Sequence, residues 1–262
     1  MQFNNRSITM FFDTHAHYDS YKFKDDRMEL LASMPAQNVS LIVNPGCEED
    51  SSKAAIALAE AFPFVYAAVG WHPSDLIESG WNENSVENLR QLAKHPKVVA
   101  IGEIGLDYYW DKTYIDLQKQ ALRAQMDLAL ELDLPVIIHD REAHGDILEI
   151  AKEYDIPGVF HCYSGSAEMA KELLKRGWYL GFDGPVTYKN NRKQLEVLEV
   201  CPLDRILIET DSPYLTPEPF RGKRNDSAKL QYVAAKIGEI KGISMEEAAA
   251  ITMENGRRLF RI

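Results

Sequence analysis

The chain has 262 residues, 45% of them hydrophobic, enough to bury one substantial core and close to the size of a single α/β barrel. Its formal net charge of -11 is spread along the sequence and excludes a broad basic footprint for nucleic acid, although bound cations and a few local Arg and Lys can make one mouth attractive to phosphate. No apolar run is long enough to span a bilayer, the start lacks a secretory signal, and three cysteines (Cys47, Cys162, Cys201) without a Cys-x-x-Cys pair fit a reducing cytoplasm.

Residues 1–9 are polar and precede Met10, which abuts the first apolar run; they read as an extension or an upstream start, leaving 10–262 as the folded unit. From there, short β-branched or apolar runs alternate with segments of helical periodicity. The spacing predicts strands over 11–15, 40–44, 65–70, 98–103, 135–139, 158–161, 179–183 and 205–210. Helices are predicted near 25–33, 51–61, 85–94, 115–132, 143–153, 167–176, 192–199, 228–239 and 244–259. In the clearest, 115–132, Leu117, Ala121, Leu128 and Leu132 recur on one face with Gln and Glu opposite. The last opens on Ser244 with Glu247 three residues later, the pattern of a capping box. Eight strand-then-helix units predict an α/β fold, a closed (β/α)₈ TIM barrel; a doubly wound sheet is the alternative and requires a reversal of strand order.

In such a barrel the chemistry is built where the strands end, because the following loops converge on one mouth. Five of the seven histidines fall at or just past a predicted strand end: His15, His17, His72, His139 and His161. His15 and His17 are one residue apart, so on an extended chain they face the same way and can grip one metal ion. Glu103 interrupts an apolar strand between two glycines, where a carboxylate can bridge two cations. Asp211 closes the eighth strand, which barrel closure brings beside the first. Taken singly, each has an ordinary structural reading as a capped turn, a chance polar pair or a hydrogen-bonded His. Together, four His and two carboxylates at strand ends of one barrel form a metal-ligand set.

These residues lie in stretches that resemble the TatD family of metal-dependent deoxyribonucleases, a branch of the amidohydrolase-type barrels. The matching stretches are Phe12-Asp13-Thr14-His15-Ala16-His17, Gly70-Trp71-His72-Pro73, Gly102-Glu103-Ile104-Gly105-Leu106-Asp107-Tyr108, Leu134-Pro135-Val136-Ile137-Ile138-His139, His161-Cys162-Tyr163-Ser164-Gly165, Glu209-Thr210-Asp211-Ser212-Pro213-Tyr214-Leu215 and Arg221-Gly222-Lys223-Arg224-Asn225. They extend from residue 11 to about 259. The resemblance implies that His15, His17 and Asp211 hold one divalent metal, that His139 and His161 hold a second, and that Glu103 bridges them. After Asn225 the family pattern continues with an acid and Pro; here Asp226 keeps the acid and Ser227 replaces the Pro.

The implied activity is hydrolysis of DNA phosphodiester bonds, as an exodeoxyribonuclease, by metal-activated water with Asp211 as general base and Glu103 setting the metal spacing. Hydrolysis of an amide or ester at the same metals, such as deacylation of D-aminoacyl-tRNA, is a second reading, and a non-catalytic metal-binding scaffold a third. Four imidazoles favour Zn, Mn, Co or Ni, with Mg recruited by a phosphate substrate. Arg141, Arg221 and Lys223 are expected to contact substrate phosphate, and His72 to face substrate beside the metals. Tyr163, with Tyr108, Tyr109 and Trp110, is a candidate for base stacking at the mouth, against the commoner role of shielding a barrel top. Glu209 reads as a buried acid satisfied by a neighbouring His or backbone group. No membrane and no obligatory protein partner is indicated.

Overall fold

The computed structural model describes residues 9–110 and 112–262, so of the N-terminal stretch set apart above only Thr9 falls within it. Eight parallel strands follow one another around the sheet in chain order: β1 (Phe11–Asp13), β2 (Val39–Pro45), β3 (Val65–Val69), β4 (Val98–Asp107), β5 (Val136–Arg141), β6 (Gly158–Phe160), β7 (Tyr179–Phe182) and β8 (Ile206–Ile208). Strand order never reverses, which excludes the doubly wound alternative. Backbone bonds bring the ends together: Thr14 N–H donates to Ile208 O at 3.2 Å, Asp211 N–H to His15 O at 2.9 Å and His17 N–H to Ser212 O at 2.8 Å. The strands adjoining this seam are shorter than their apolar runs predict. Residues 14–17 and 209–212 leave the regular ladder; His17 and Asp211 line the mouth, while Ala16 packs in the core and Thr14, Thr210 and Ser212 make buried hydrogen bonds at the seam.

Outside the strands lie α1 (Arg27–Ser33), α2 (Glu49–Ala61), α3 (Ser85–Leu92), α4 (Ile115–Leu132), α5 (His144–Lys152), α6 (Ala167–Lys175), α7 (Arg192–Val200), α8 (Leu230–Lys241) and α9 (Met245–Phe260). None is long and apolar enough to cross a membrane. α9 starts with the expected capping box, Glu247 N–H donating to Ser244 Oγ at 3.1 Å and Ser244 N–H to Glu247 Oε2 at 2.9 Å. Two apolar clusters result. A large one lies between strands and helices, and a smaller one gathers Phe12, Val43, Ala68, Ile137, Val159 and Leu207 of successive strands with Leu259 and Phe260 of α9. Each fully buried Leu, Ile or Phe contributes about 1.5–3 kcal/mol, so closing the barrel on α9 is a major source of stability.

The face of α4 departs from expectation. Ala121 and Leu128 are buried, but Leu117 and Leu132 are only partly so, and the glutamines are not all opposite: Gln118 and Gln125 lie on the buried face. Each amide grips the backbone of one mouth residue. Gln118 accepts from Asp107 N–H at 2.9 Å and donates to Asp107 O at 3.0 Å; Gln125 accepts from Trp71 N–H at 2.7 Å and donates to Trp71 O at 3.2 Å. A primary amide offers one donor and one acceptor side by side, as a neighbouring strand would, so α4 extends the ladder where the strands end.

A second seam device is polar. Asp13, fully buried, accepts from Thr210 N–H at 3.0 Å, from Thr210 Oγ1 at 2.6 Å and from Ser227 Oγ at 2.6 Å. Ser227 N–H donates to Tyr18 Oη at 3.0 Å, and that hydroxyl donates back to Ser227 Oγ at 2.8 Å. Proline could make neither contact, so the departure from the family pattern at 227 is used to tie the loop before α8 to β1.

Candidate metal centre

Glu103 occupies the middle of the mouth. Five imidazoles approach its two carboxylate oxygens. His15 Nε2 and His17 Nε2 lie 3.3 and 3.4 Å from Oε2; His139 Nδ1, His161 Nε2 and His72 Nε2 lie 2.9, 3.0 and 3.6 Å from Oε1. Its flanking glycines are required by close approach. A Cβ on Gly102 would stand 2.6 Å from the Ile137 Cβ, and one on Gly105 only 1.9 Å from the carbonyl oxygen of His139. Burial works to raise the Glu103 carboxyl, but His161, His72 and His15 outweigh it and hold Glu103 well below its ordinary range, as an anion.

The first donor set is His15 Nε2, His17 Nε2, Glu103 Oε2 and Asp211 Oδ1. The two imidazole nitrogens are 3.0 Å apart, and Asp211 Oδ1 lies 3.8 and 3.6 Å from them. His15 is fully buried, and burial together with His161 lowers it to about 4, so its ring is neutral near pH 7. Burial works to lower His17, but Cys47 and Glu103 outweigh it and hold the ring well above its ordinary value; two imidazole nitrogens and two carboxylate oxygens converging this closely form a donor set that a divalent cation would satisfy at once. Asp211 has φ 51°, in the left-handed region, which Asp tolerates better than most residues; Asp211 N–H is fixed on His15 O. Burial raises the Asp211 carboxyl to about 6, against the pull of His161 and His17.

The second donor set is Glu103 Oε1, His139 Nδ1 and His161 Nε2. Each imidazole has a carboxylate at its outer nitrogen. His139 Nε2 lies 3.0 Å from Asp107 Oδ2, and His161 Nδ1 lies 3.3 Å from Glu209 Oε1. An acid hydrogen-bonded behind a ring holds the proton on the outer nitrogen and turns the lone pair of the other inward, as Asp107 does for His139, whereas Glu209 stands within ion-pair reach of His161 Nδ1 without a hydrogen bond to it. Glu209 is buried, as its sequence context suggests, and also accepts from Cys162 N–H. Asp107 is the residue the sequence reading missed. Its signal is present: Glu103, Gly105 and Asp107 alternate along β4, so the two acids share a face. His72, Asp107 and His139 also lie close enough together to hold an ion.

A cavity of about 920 Å³ opens over both sets, and the residues expected to meet substrate are placed unequally around it. His72 and Arg141 line it. His72 Nδ1 accepts from Ser74 N–H at 3.2 Å, which leaves the ring proton on Nε2, directed at Glu103. Tyr163 does not reach the mouth: it is 2% exposed, with its hydroxyl donating to Ser166 O at 2.8 Å, so the ring packs beneath the rim and is corrected to a core residue. Arg221 and Lys223 also fall outside the lining. The loop carrying them is folded back by Asn225, which donates to Thr210 O and Tyr214 O, and Arg221 stacks 4.3 Å over Tyr188. The cation that lines the cavity in their place is Lys193, near the start of α7. Tyr109 and Trp110 stand exposed at the rim, whereas Tyr108 is buried and donates to Asp146.

The family model described as TatD related DNase matches residues 12–261. The metal-dependent hydrolase YabD of Bacillus subtilis is 47% identical over 97% of this chain and 100% of its own length. The 3'-5' ssDNA/RNA exonuclease TatD of Cronobacter sakazakii is 36% identical over 95% of this chain and 97% of its own. The crystal structure of YjjV, a TatD homologue from Escherichia coli K12, superposes with a TM-score of 0.89 at 33% identity, covering 96% of this chain and 98% of that one. A nearly closed ring of eight parallel strands, His and carboxylate clusters able to hold metal at its mouth, and likeness along nearly the whole sequence place this chain in the TatD family of metal-dependent hydrolases.

Proposed function

We propose that the chain is an exonuclease that hydrolyses phosphodiester bonds of DNA at a centre for two divalent cations. The observation that carries this reading is the division of Glu103: Oε2 faces His15 and His17, Oε1 faces His139 and His161, so one carboxylate serves two donor sets. Bound cations supply Lewis acidity and lower the pKa of water, with Zn, Mn, Co, Ni or Mg as candidates. The chain's own groups do the rest. Asp211 accepts the proton of the attacking water, and removing such a base costs about 10²–10⁴-fold in rate. Asp107 holds His139 in the tautomer that keeps its lone pair inward, and the charge of Glu209 lies beside the outer nitrogen of His161. His72, pushed below its ordinary pKa by burial and by His139, stays neutral and donates from Nε2 to a phosphate oxygen. Arg141, at the end of β5, and Lys193, near the start of α7, both line the cavity and bind flanking phosphates.

The test is incubation of end-labelled single-stranded DNA with protein loaded in turn with Mg, Mn, Zn and Co, alongside D-aminoacylated tRNA. Stepwise shortening of the DNA, lost in Asp211→Asn while bound metal persists by mass spectrometry, is the expected result. Intact DNA with every metal, or release of the amino acid instead, overturns the proposal.

A further inference from the structure

Beside the metal centre, between the loops that follow β3 and β4, lies a second cavity of about 250 Å³. It shares Ser74, Asp107 and Trp110 with the main mouth, so the two adjoin, and Asp107 is the acid behind His139. Its apolar walls include Pro73, Ile77, Trp110 and Tyr114, and Ser74, Glu78, Asp107 and Gln118 complete the lining with polar groups. Three of the apolar walls stand in solvent, Trp110 at 69%, Ile77 at 48% and Tyr114 at 40% exposure, a cluster of apolar faces of the kind that marks a binding surface. Arg141 lies 3.9 Å over the Tyr109 ring and 5.2 Å from the Trp110 ring, and among the described residues no carboxylate pairs with it.

A ligand that uses all of this carries a flat ring for Trp110, an anion beside it for Arg141, and a further anion at the donor sets around Glu103. That is the repeat of a nucleic-acid strand. The volume is below the range of about 300–1,000 Å³ typical of drug-sized ligands and suits one planar ring system. We propose that this cavity seats the nucleobase next to the scissile phosphate, stacked on Trp110, with Arg141 holding the adjoining phosphate. The inference rests on the phosphodiesterase reading and specifies its substrate as a single strand, because a base inside a duplex must first leave its stack to enter. The amide of Gln118, the polar group at the cavity wall best suited to reading a base edge, is already engaged on both sides by the backbone of Asp107.

Of the four tryptophans, Trp71 and Trp178 are buried, Trp81 is half-buried and only Trp110 lines either cavity, so ligand-induced quenching that disappears in Trp110→Phe is assigned to Trp110. Metal-loaded protein is titrated with a phosphorothioate-linked dT octamer, which resists hydrolysis, and with a series in which one position at a time is abasic. Expected are quenching of the emission, weaker binding from a single abasic position near the processed end, a Kd raised about 5- to 100-fold in Trp110→Ala, and recovery of most of that loss in Trp110→Phe. Cleavage of the unmodified strand combined with an unchanged Kd in Trp110→Ala, or with indifference to every abasic position, overturns the base site while the phosphodiesterase reading stands. Quenching and a position-specific abasic effect without cleavage supports the base site and overturns the other. Absence of binding overturns the base site outright.

Discussion

Asp107→Asn isolates the part played by the acid behind His139. Asp107 Oδ1 is committed as an acceptor, 2.9 Å from Tyr109 N–H and 3.4 Å from Trp110 N–H, while Oδ2 faces His139 Nε2 at 3.0 Å. Asparagine of the same shape keeps its oxygen on the two amides and presents its NH₂ to the ring. Two donors then meet, and His139 resolves the conflict by moving its proton from Nε2 to Nδ1, the atom 2.9 Å from Glu103 Oε1. The lone pair that faces the second donor set is thereby lost. Deleting such a partner costs about 10–100-fold in metal affinity, about 1.4–2.8 kcal/mol. The residue is 2% exposed and asparagine keeps its volume; because loss of one partner of a buried pair is itself destabilising, circular dichroism and urea unfolding establish that the variant is folded before metal is added. The assay is chelator competition with Zn and with Mn: one site weakens by that factor while the His15, His17 and Asp211 set keeps its affinity. Equal affinities in parent and variant, with unchanged stoichiometry, refute the tautomer argument.

Metal removal acts on stability as well as on turnover. A cation at about a hundred times its Kd adds about 2.7 kcal/mol, so adding EDTA lowers the melting temperature by about 5–10 °C; calorimetric traces that coincide with and without chelator contradict a preformed site. At the seam, Ser227→Pro removes the N–H bonded to Tyr18 and the hydroxyl bonded to Asp13, costing about 2–5 kcal/mol in urea unfolding. The same contact predicts a pH dependence. Burial raises Asp13 from 3.8 to about 7, with the Ser227 hydroxyl the strongest influence in the other direction. A carboxyl raised in the folded state binds more protons there than in the unfolded chain, so its contribution to stability declines as pH rises from 3.8 through about 7. Ser227→Ala lifts Asp13 further and extends the decline, so its deficit against the parent is larger at about pH 8 than at about pH 5; an equal deficit at both would separate Ser227 from the Asp13 carboxyl.

Legibility in the sequence followed the range of the interactions concerned. Strand addresses and the pairing of His15 with His17 depend on a two-residue repeat, and the Ser244 cap on a contact three residues away, so local pattern is enough. Gln118 and Gln125 escaped because a buried amide on an amphipathic helix is legible only once its backbone partner, 11 or 54 residues distant, is placed. Tyr163 misled because strand-end position fixes where a backbone emerges and not whether its side chain turns to the mouth or beneath it. Arg221 and Lys223 share a loop with residues that belong to the seam, and the hydrogen bonds of Asn225 decide which way that loop folds.

The seam also bears on the order in which the chain becomes competent. Asp13 and Thr210, which it joins, are 197 residues apart, and the first donor set is divided across it, with His15 and His17 on the early side and Asp211 on the late one. At a synthesis rate of about 5–20 residues per second, the early half waits about 10–40 s on the ribosome for its counterpart. A nascent chain therefore carries a two-imidazole clamp that lacks its acid, and acquires hydrolytic capacity at the same step that closes its barrel.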